Sequence, residues 1–143
     1  MRQLICIVLT ALLAGCLSTE PLPEMTYSEA IDFREYANAG VTITPGDYGE
    51  DFTSIGYVSA TTWPEARPYS TGDELAEGEH ISGDAVYEEV NPRKAIDALV
   101  ERAKAMGADA IIHFETQQIS RTYRSGSIPG VRVSGFAIDR SDN

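Results

Sequence analysis

The sequence predicts an α+β domain: a small mixed or antiparallel sheet with one main amphipathic helix packed on it. Three observations lead there. Residues 91–107 carry a helix signature that is complete at both ends. Residues 108–116 and 131–138 are apolar and β-branched runs separated by turn residues, the pattern of a hairpin. Residues 41–44 and 52–62 supply two earlier β-branched runs. A chain of 143 residues with no internal repeat fits one domain.

The elements follow in order. Tyr27, Ala30, Ile31 and Phe33 give residues 27–38 a helical period, which predicts a short helix. Val41-Thr42-Ile43-Thr44 is stopped by Pro45 and Gly46 and reads as a short strand. Residues 52–62 read as a second strand, ended by Trp63-Pro64. Residues 64–90 have no period and contain Pro64, Pro68, Gly72, Gly78 and Gly83. They are a functional or mobile loop, or they hold a short element that periodicity does not reveal.

The helix is the clearest element. Asn91 is a good N-cap, Pro92 suits the first helical position, and Gly107 suits the position after the last turn. Ile96, Leu99, Val100, Ala103 and Met106 repeat on one face, with Arg93, Asp97, Glu101 and Lys104 on the other. Next, Ala108-Asp109-Ala110-Ile111-Ile112 opens a strand that is apolar on both faces, hence central; further along, alternation sends one face to solvent. Ser125-Gly126-Ser127 and Pro129-Gly130 read as turns before the return strand 131–138. Ala108 and Ala110 are small enough for close helix–strand approach, and Asp109 is placed to cap or pair locally. Gly135, inside a strand, marks a bulge or a close backbone contact.

The N-terminus carries a different message. Arg2 precedes an apolar run, Leu4 to Leu13, which leads into Ala14, Gly15 and Cys16. Ten residues at ~1.5 Å each reach about half of a ~30 Å hydrocarbon core, too short to span it. The order of charge, apolar run, small residues and cysteine resembles the bacterial lipobox. That resemblance implies cleavage before Cys16 and palmitate-type acyl chains on its sulfur and new amino terminus. Two or three long chains hold far more firmly than one, at ~0.8 kcal/mol per buried methylene. Leu17 follows the cysteine where an inner-membrane retention signal has aspartate, so the expected address is the outer membrane, facing the periplasm. The expected layout is a signal peptide at 1–15, a lipidated cysteine and tether at 16–26 stiffened by Pro21 and Pro23, and one domain at 27–143.

Composition excludes several classes of function. The chain has 22 Asp and Glu against 11 Lys and Arg, a net charge of −11, and loss of Arg2 with the leader makes it more negative. Nucleic acid and anionic headgroups are therefore poor primary partners. The two cysteines are Cys6, in the leader, and Cys16. An unlipidated thiol is not expected in the mature domain, which removes cysteine nucleophiles, zinc–thiolate sites and disulfides. No Gly-x-Ser-x-Gly elbow, phosphate loop or His-Glu-x-x-His motif occurs, so no enzyme and no cofactor is expected.

Two groups of residues carry the remaining chemistry. Glu77, Glu79, His80 and Asp84 combine oxygen donors with one nitrogen and are the candidates for a divalent cation, although their spacing matches no EF-hand and a solvated acidic loop accounts for them equally. The second histidine, His113, reads as a strand residue. Arg121, Arg124 and Arg132 lie on or beside the hairpin, whereas residues 73–89 hold seven acids and no Lys or Arg. These opposite charges pair within one subunit or between neighbours, or simply face solvent. A head-to-tail contact would place Arg121 and Arg124 against the acidic stretch of the next copy.

Residues 94–107 run into Ala108-Asp109-Ala110-Ile111-Ile112, and the hairpin returns through Val131-Arg132-Val133-Ser134-Gly135-Phe136-Ala137. This segment resembles the YbjQ-like, heavy-metal-binding-domain family and is similar to RcsF-type outer-membrane lipoproteins. The likeness extends more loosely over residues 33–63, through Ile55-Gly56. It implies a compact α+β fold, a homo-oligomer and a heavy-metal-binding label. The mature domain departs from the RcsF type in having no paired cysteines. The expectation is an envelope lipoprotein acting as a non-enzymatic interaction or sensory module with an envelope protein partner; a metal- or small-ligand-binding envelope protein is the alternative.

Overall fold

In the computed structural model, residues 30–140 are described, and every element lies in the unit Ile31–Asn143. The leader, Cys16 and the tether fall outside the described residues. Among the described residues two helices, α1 (Arg34–Asn38) and α2 (Pro92–Ala105), accompany seven strands: β1 (Thr42–Ile43), β2 (Thr53–Thr62), β3 (Ala66–Pro68), β4 (Glu79–Ser82), β5 (Ala85–Glu88), β6 (Ala110–Tyr123) and β7 (Gly126–Asp139). A four-stranded mixed sheet has the order β1-β6-β7-β2, with β1 parallel to β6 and the other pairs antiparallel. A separate three-stranded antiparallel sheet has the order β3-β5-β4. The fold is α+β.

Helix α2 forms as its sequence dictates. The Asn91 side chain accepts a hydrogen bond from the Arg93 amide at 3.0 Å, and Gly107 leaves the last turn at φ +88°, a conformation that costs a residue with a Cβ. Its buried face is Ala95, Ile96, Leu99, Val100 and Ala103, laid across β2, β6 and β7. These residues form one core with Val58, Ile111, Phe114, Val133 and Ala137 from the sheet and Tyr36 from α1. Tyr36 ties the two helices, its hydroxyl donating to Asp97 Oδ1 at 2.7 Å. Burial, reinforced by the Asp97 carboxylate, raises its pKa, so it stays a donor.

Several expectations are corrected. Of the helix expected over 27–38, the described residues hold only the turn and a half Arg34–Asn38, with Phe33 as its N-cap. Of the alternatives open for residues 64–90, the structure has the short elements: they hold the whole small sheet. Its strands are three or four residues long, so neither helical nor strand periodicity had room to register. Pro129-Gly130 lies inside β7 and is not a turn. Pairing with β2 stops at Thr62 and Val131, so Pro129 sits where β7 has no β2 partner to receive an N–H. Gly130 makes room for the Trp63 ring, which a Cβ there would enter. Ala108 packs in the helix-side core, but Ala110 faces the opposite side of the sheet with Ile112, Ile138 and Tyr48.

The hairpin tip is clasped to the small sheet. Arg124 and Ser125 form a two-residue loop, with Arg124 at φ 54°. Asp84, in the β4–β5 turn, accepts hydrogen bonds from Arg124 Nε at 2.7 Å, the Ser125 amide at 2.9 Å and the Ser125 hydroxyl at 2.7 Å. The turns touch so closely that a Cβ on Gly126 would fall on the Ser82 carbonyl. The Arg124 guanidinium, then the Ser125 donors, hold the Asp84 carboxyl well below the usual carboxylate range. A depressed folded-state pKa means that Asp84 contributes fully above the unfolded carboxylate range and that its contribution is lost as pH falls through the folded value. Protection of the Ser125 amide, its exchange rate relative to that of an unstructured amide at the same pH, is therefore expected to fall on strong acidification. Asp84→Asn should exchange fast already at neutral pH and lose that dependence; unchanged protection in the variant refutes the clasp.

Candidate functional site

Strand β6 carries a bulge that builds the site. Ile112 pairs with Phe136 and Glu115 with Ser134, so three residues advance on β6 against two on β7. The extra residue is His113, at φ 50°, a conformation uncommon for any residue but glycine. Backbone bonds hold it there: the His113 amide donates to the Gly46 carbonyl at 3.2 Å and the Phe114 amide to the Thr44 carbonyl at 3.0 Å. Gly135 faces the bulge; a Cβ there would lie 2.6 Å from Ile111 Cγ2 and 2.9 Å from the Ile112 carbonyl oxygen. The bulge and the close contact anticipated at Gly135 are both present.

This geometry turns the His113 ring onto the face of the sheet opposite α2. There it meets Phe136 edge-on at 6.2 Å, and Phe136 meets Tyr57 at 5.6 Å. Phe136 is 44 % and Tyr57 59 % exposed, large apolar surfaces left in water. Beside them a cleft of about 360 Å³ is lined by Asp47, Phe52, Ser54, Ile112, His113, Phe136 and Ile138. Tyr48 packs nearby against Ile112 and Ile138 and is edge-on to Phe52 at 6.4 Å. Asp47 Oδ1 stands 3.8 Å from His113 Nε2. Such a surface suits apolar, planar or cationic groups, which aromatic rings bind through their faces and edges. The alternation that puts Val58 and Ala137 in the core already places Tyr57 and Phe136 on the other side, a signal the sequence reading passed over.

The residues chosen from sequence are not brought together here. Glu79 accepts hydrogen bonds from Arg67 Nε and Nη2 at 3.2 and 3.1 Å, and from the Ala76 amide at 2.8 Å. Arg67, then Ala76, lowers the Glu79 pKa. His80, the next residue on the strand, lies 5.6 Å from the Tyr87 ring. Glu77 is exposed in the turn before β4, and Asp84 is held in the hairpin clasp. Among the described residues no group of three or more His, Cys, Asp or Glu side chains is arranged to hold a metal ion. Two of the four cation candidates thus have arginine partners in place of an ion.

The arginines are also redistributed. Arg124 is paired with Asp84 of its own chain, the within-subunit alternative for these opposite charges. The Arg121 guanidinium lies 4.9 Å from the centre of the Trp63 ring. Arg132 is exposed on β7, in register with Thr61 and Gln117, on the same face as Phe136.

The fold defines a class, an α+β domain in which one helix covers one side of a four-stranded mixed sheet and the other side bears exposed aromatic rings. No family model matches the chain, and no curated protein matches it. Among solved structures it is similar to a protein of unknown function of the DUF74 family from Pediococcus pentosaceus, at 14 % identity and a TM-score of 0.46, the match covering 70 % of this chain and 97 % of that one. Among the described residues no helix is long and apolar enough to cross a membrane.

Proposed function

We propose that this chain is a bacterial envelope lipoprotein, anchored by acyl chains on Cys16 at the outer membrane, whose domain is a non-enzymatic interaction module working through the outer face of its sheet. The observation that carries the reading is the row of Tyr57, Phe136 and His113, with large apolar rings left in water. The leader through Cys16 supports the location. The resemblance of residues 92–139 to the YbjQ-like family and to RcsF-type lipoproteins supports both.

Two measurements test it. Intact-mass analysis of the protein from membranes is expected to show a chain beginning at an acylated Cys16; a free thiol or a retained leader refutes the anchor. A photo-crosslinking residue at Tyr57 is expected to capture a discrete envelope protein in living cells, while one at Glu101, on the exposed side of α2, captures none. Equal labelling from both positions refutes the face.

A further inference from the structure

The cleft beside β2 is apolar at its floor and acidic at its mouth. Ile112 and Ile138 are buried at its base, Phe52 and Phe136 are partly exposed, and the Asp47 side chain is 73 % exposed. Glu50 follows in the same loop, where the Tyr48 hydroxyl donates to its carboxylate at 3.5 Å. One cation already lies on a ring beside the cleft, because the Arg140 guanidinium stands 5.5 Å from the centre of Tyr48. Its own charge is met by Asp109, 3.1 Å from Nε. A ring group with a carboxylate at its rim is suited to a second cation with an apolar stem, as lysine and arginine side chains have.

Charge decides between classes of occupant. At a net charge of −11, a second copy of the chain is repelled, whereas a basic partner is drawn in and oriented. Size decides between a small amine and a polypeptide. Tyr57, the most exposed of the large apolar residues, does not line the cleft, so a ligand confined to the cleft leaves it in water. Strand β2, which carries Tyr57, is the last strand of its sheet, with no strand on its outer edge among the described residues. An extended segment can add along such an edge through main-chain hydrogen bonds, its alternate side chains reaching the face.

We propose that this face receives an extended basic segment of a partner polypeptide, one lysine or arginine entering the cleft against Phe136 and Asp47 and a neighbouring apolar side chain covering Tyr57. The proposal rests on the outer sheet face as the working surface, and not on the anchor at Cys16, so failure of either leaves the other standing. The test uses the acylated full-length protein in neutral detergent and a fluorescent, end-blocked octapeptide of alternating lysine and valine, followed by anisotropy. Saturable binding is expected, weakened by added salt as an ion-pairing contact is. Asp47→Asn combined with Phe136→Ser is expected to weaken it about tenfold or more. Both side chains are exposed, and an unchanged melting temperature confirms that the variant folds.

Four results overturn the proposal. The lysine peptide fails to bind, or a glutamate–valine peptide binds equally well. Butylammonium displaces the peptide at the peptide's own concentration, which makes the cleft a small-amine pocket. Glu101→Gln on the far side of the domain weakens binding as much as the double variant, which makes the attraction diffuse.

Discussion

Truncating Leu99 to alanine is expected to cost about 2–5 kcal/mol of folding stability, the range for removing a leucine from a packed core. Leu99 is fully buried near the middle of α2 and shares the core with Val58 of β2, Ile111 and Phe114 of β6 and Val133 of β7. The cavity would open where helix meets sheet, and neither side can collapse freely. The helix is pinned at Asn91 and tied through Asp97 to Tyr36, and the sheet is held by its ladders. For a domain of this size the melting temperature should fall by on the order of 10–20 °C. Urea unfolding should show a lower midpoint with an unchanged slope. Leu75→Ala, at a residue 43 % exposed in the loop before β4, should stay within about 0.5 kcal/mol. Similar losses at the two positions would mean that α2 does not pack as described.

Gly135→Ala is expected to cost about 1–3 kcal/mol by overpacking. The added methyl has no exit. One neighbour, Ile111 Cγ2, belongs to a fully buried side chain, and the other is the main-chain oxygen of Ile112 at the start of the bulge. Relief must come from moving β6 itself, so the loss of stability should be accompanied by shifted resonances of His113 and Phe136. Gly49→Ala is the contrasting case: a Cβ there meets nothing within 4 Å and should be nearly neutral. A stable Gly135→Ala protein with unchanged His113 signals would contradict the bulge. Because the bulge orients His113, the same variant should also weaken the peptide binding proposed for the outer face.

The difference between these sites and the small sheet explains what was legible beforehand. Helix α2 announced itself because its cap, its apolar stripe and its terminating glycine lie within seventeen consecutive residues, 91–107. Gly135 was legible as a special position, although its neighbours on β6 lie more than twenty residues earlier in the chain. Residues 64–90 were opaque because β3, β4 and β5 are too short to display a period and form by pairing with one another and against the distant hairpin tip. Glu79 and Asp84 looked like ligand donors because sequence reports a carboxylate but not the arginine that reaches it, twelve residues away for Arg67 and forty for Arg124. The aromatic face was half legible: alternation separates Tyr57 from Val58, but not whether a helix will cover it.

By itself, the sequence determined the α+β class and the position of the main helix, because each is written in the steric and chemical preferences of neighbouring residues. Only the tertiary structure decided that Tyr57 and Phe136 on the opposite side of the sheet stay exposed, that His113 is turned onto that side, and that Asp84 clasps the hairpin tip. Those outcomes depend on strand register between distant segments, and a shift of one residue in register reverses which side chains reach each face.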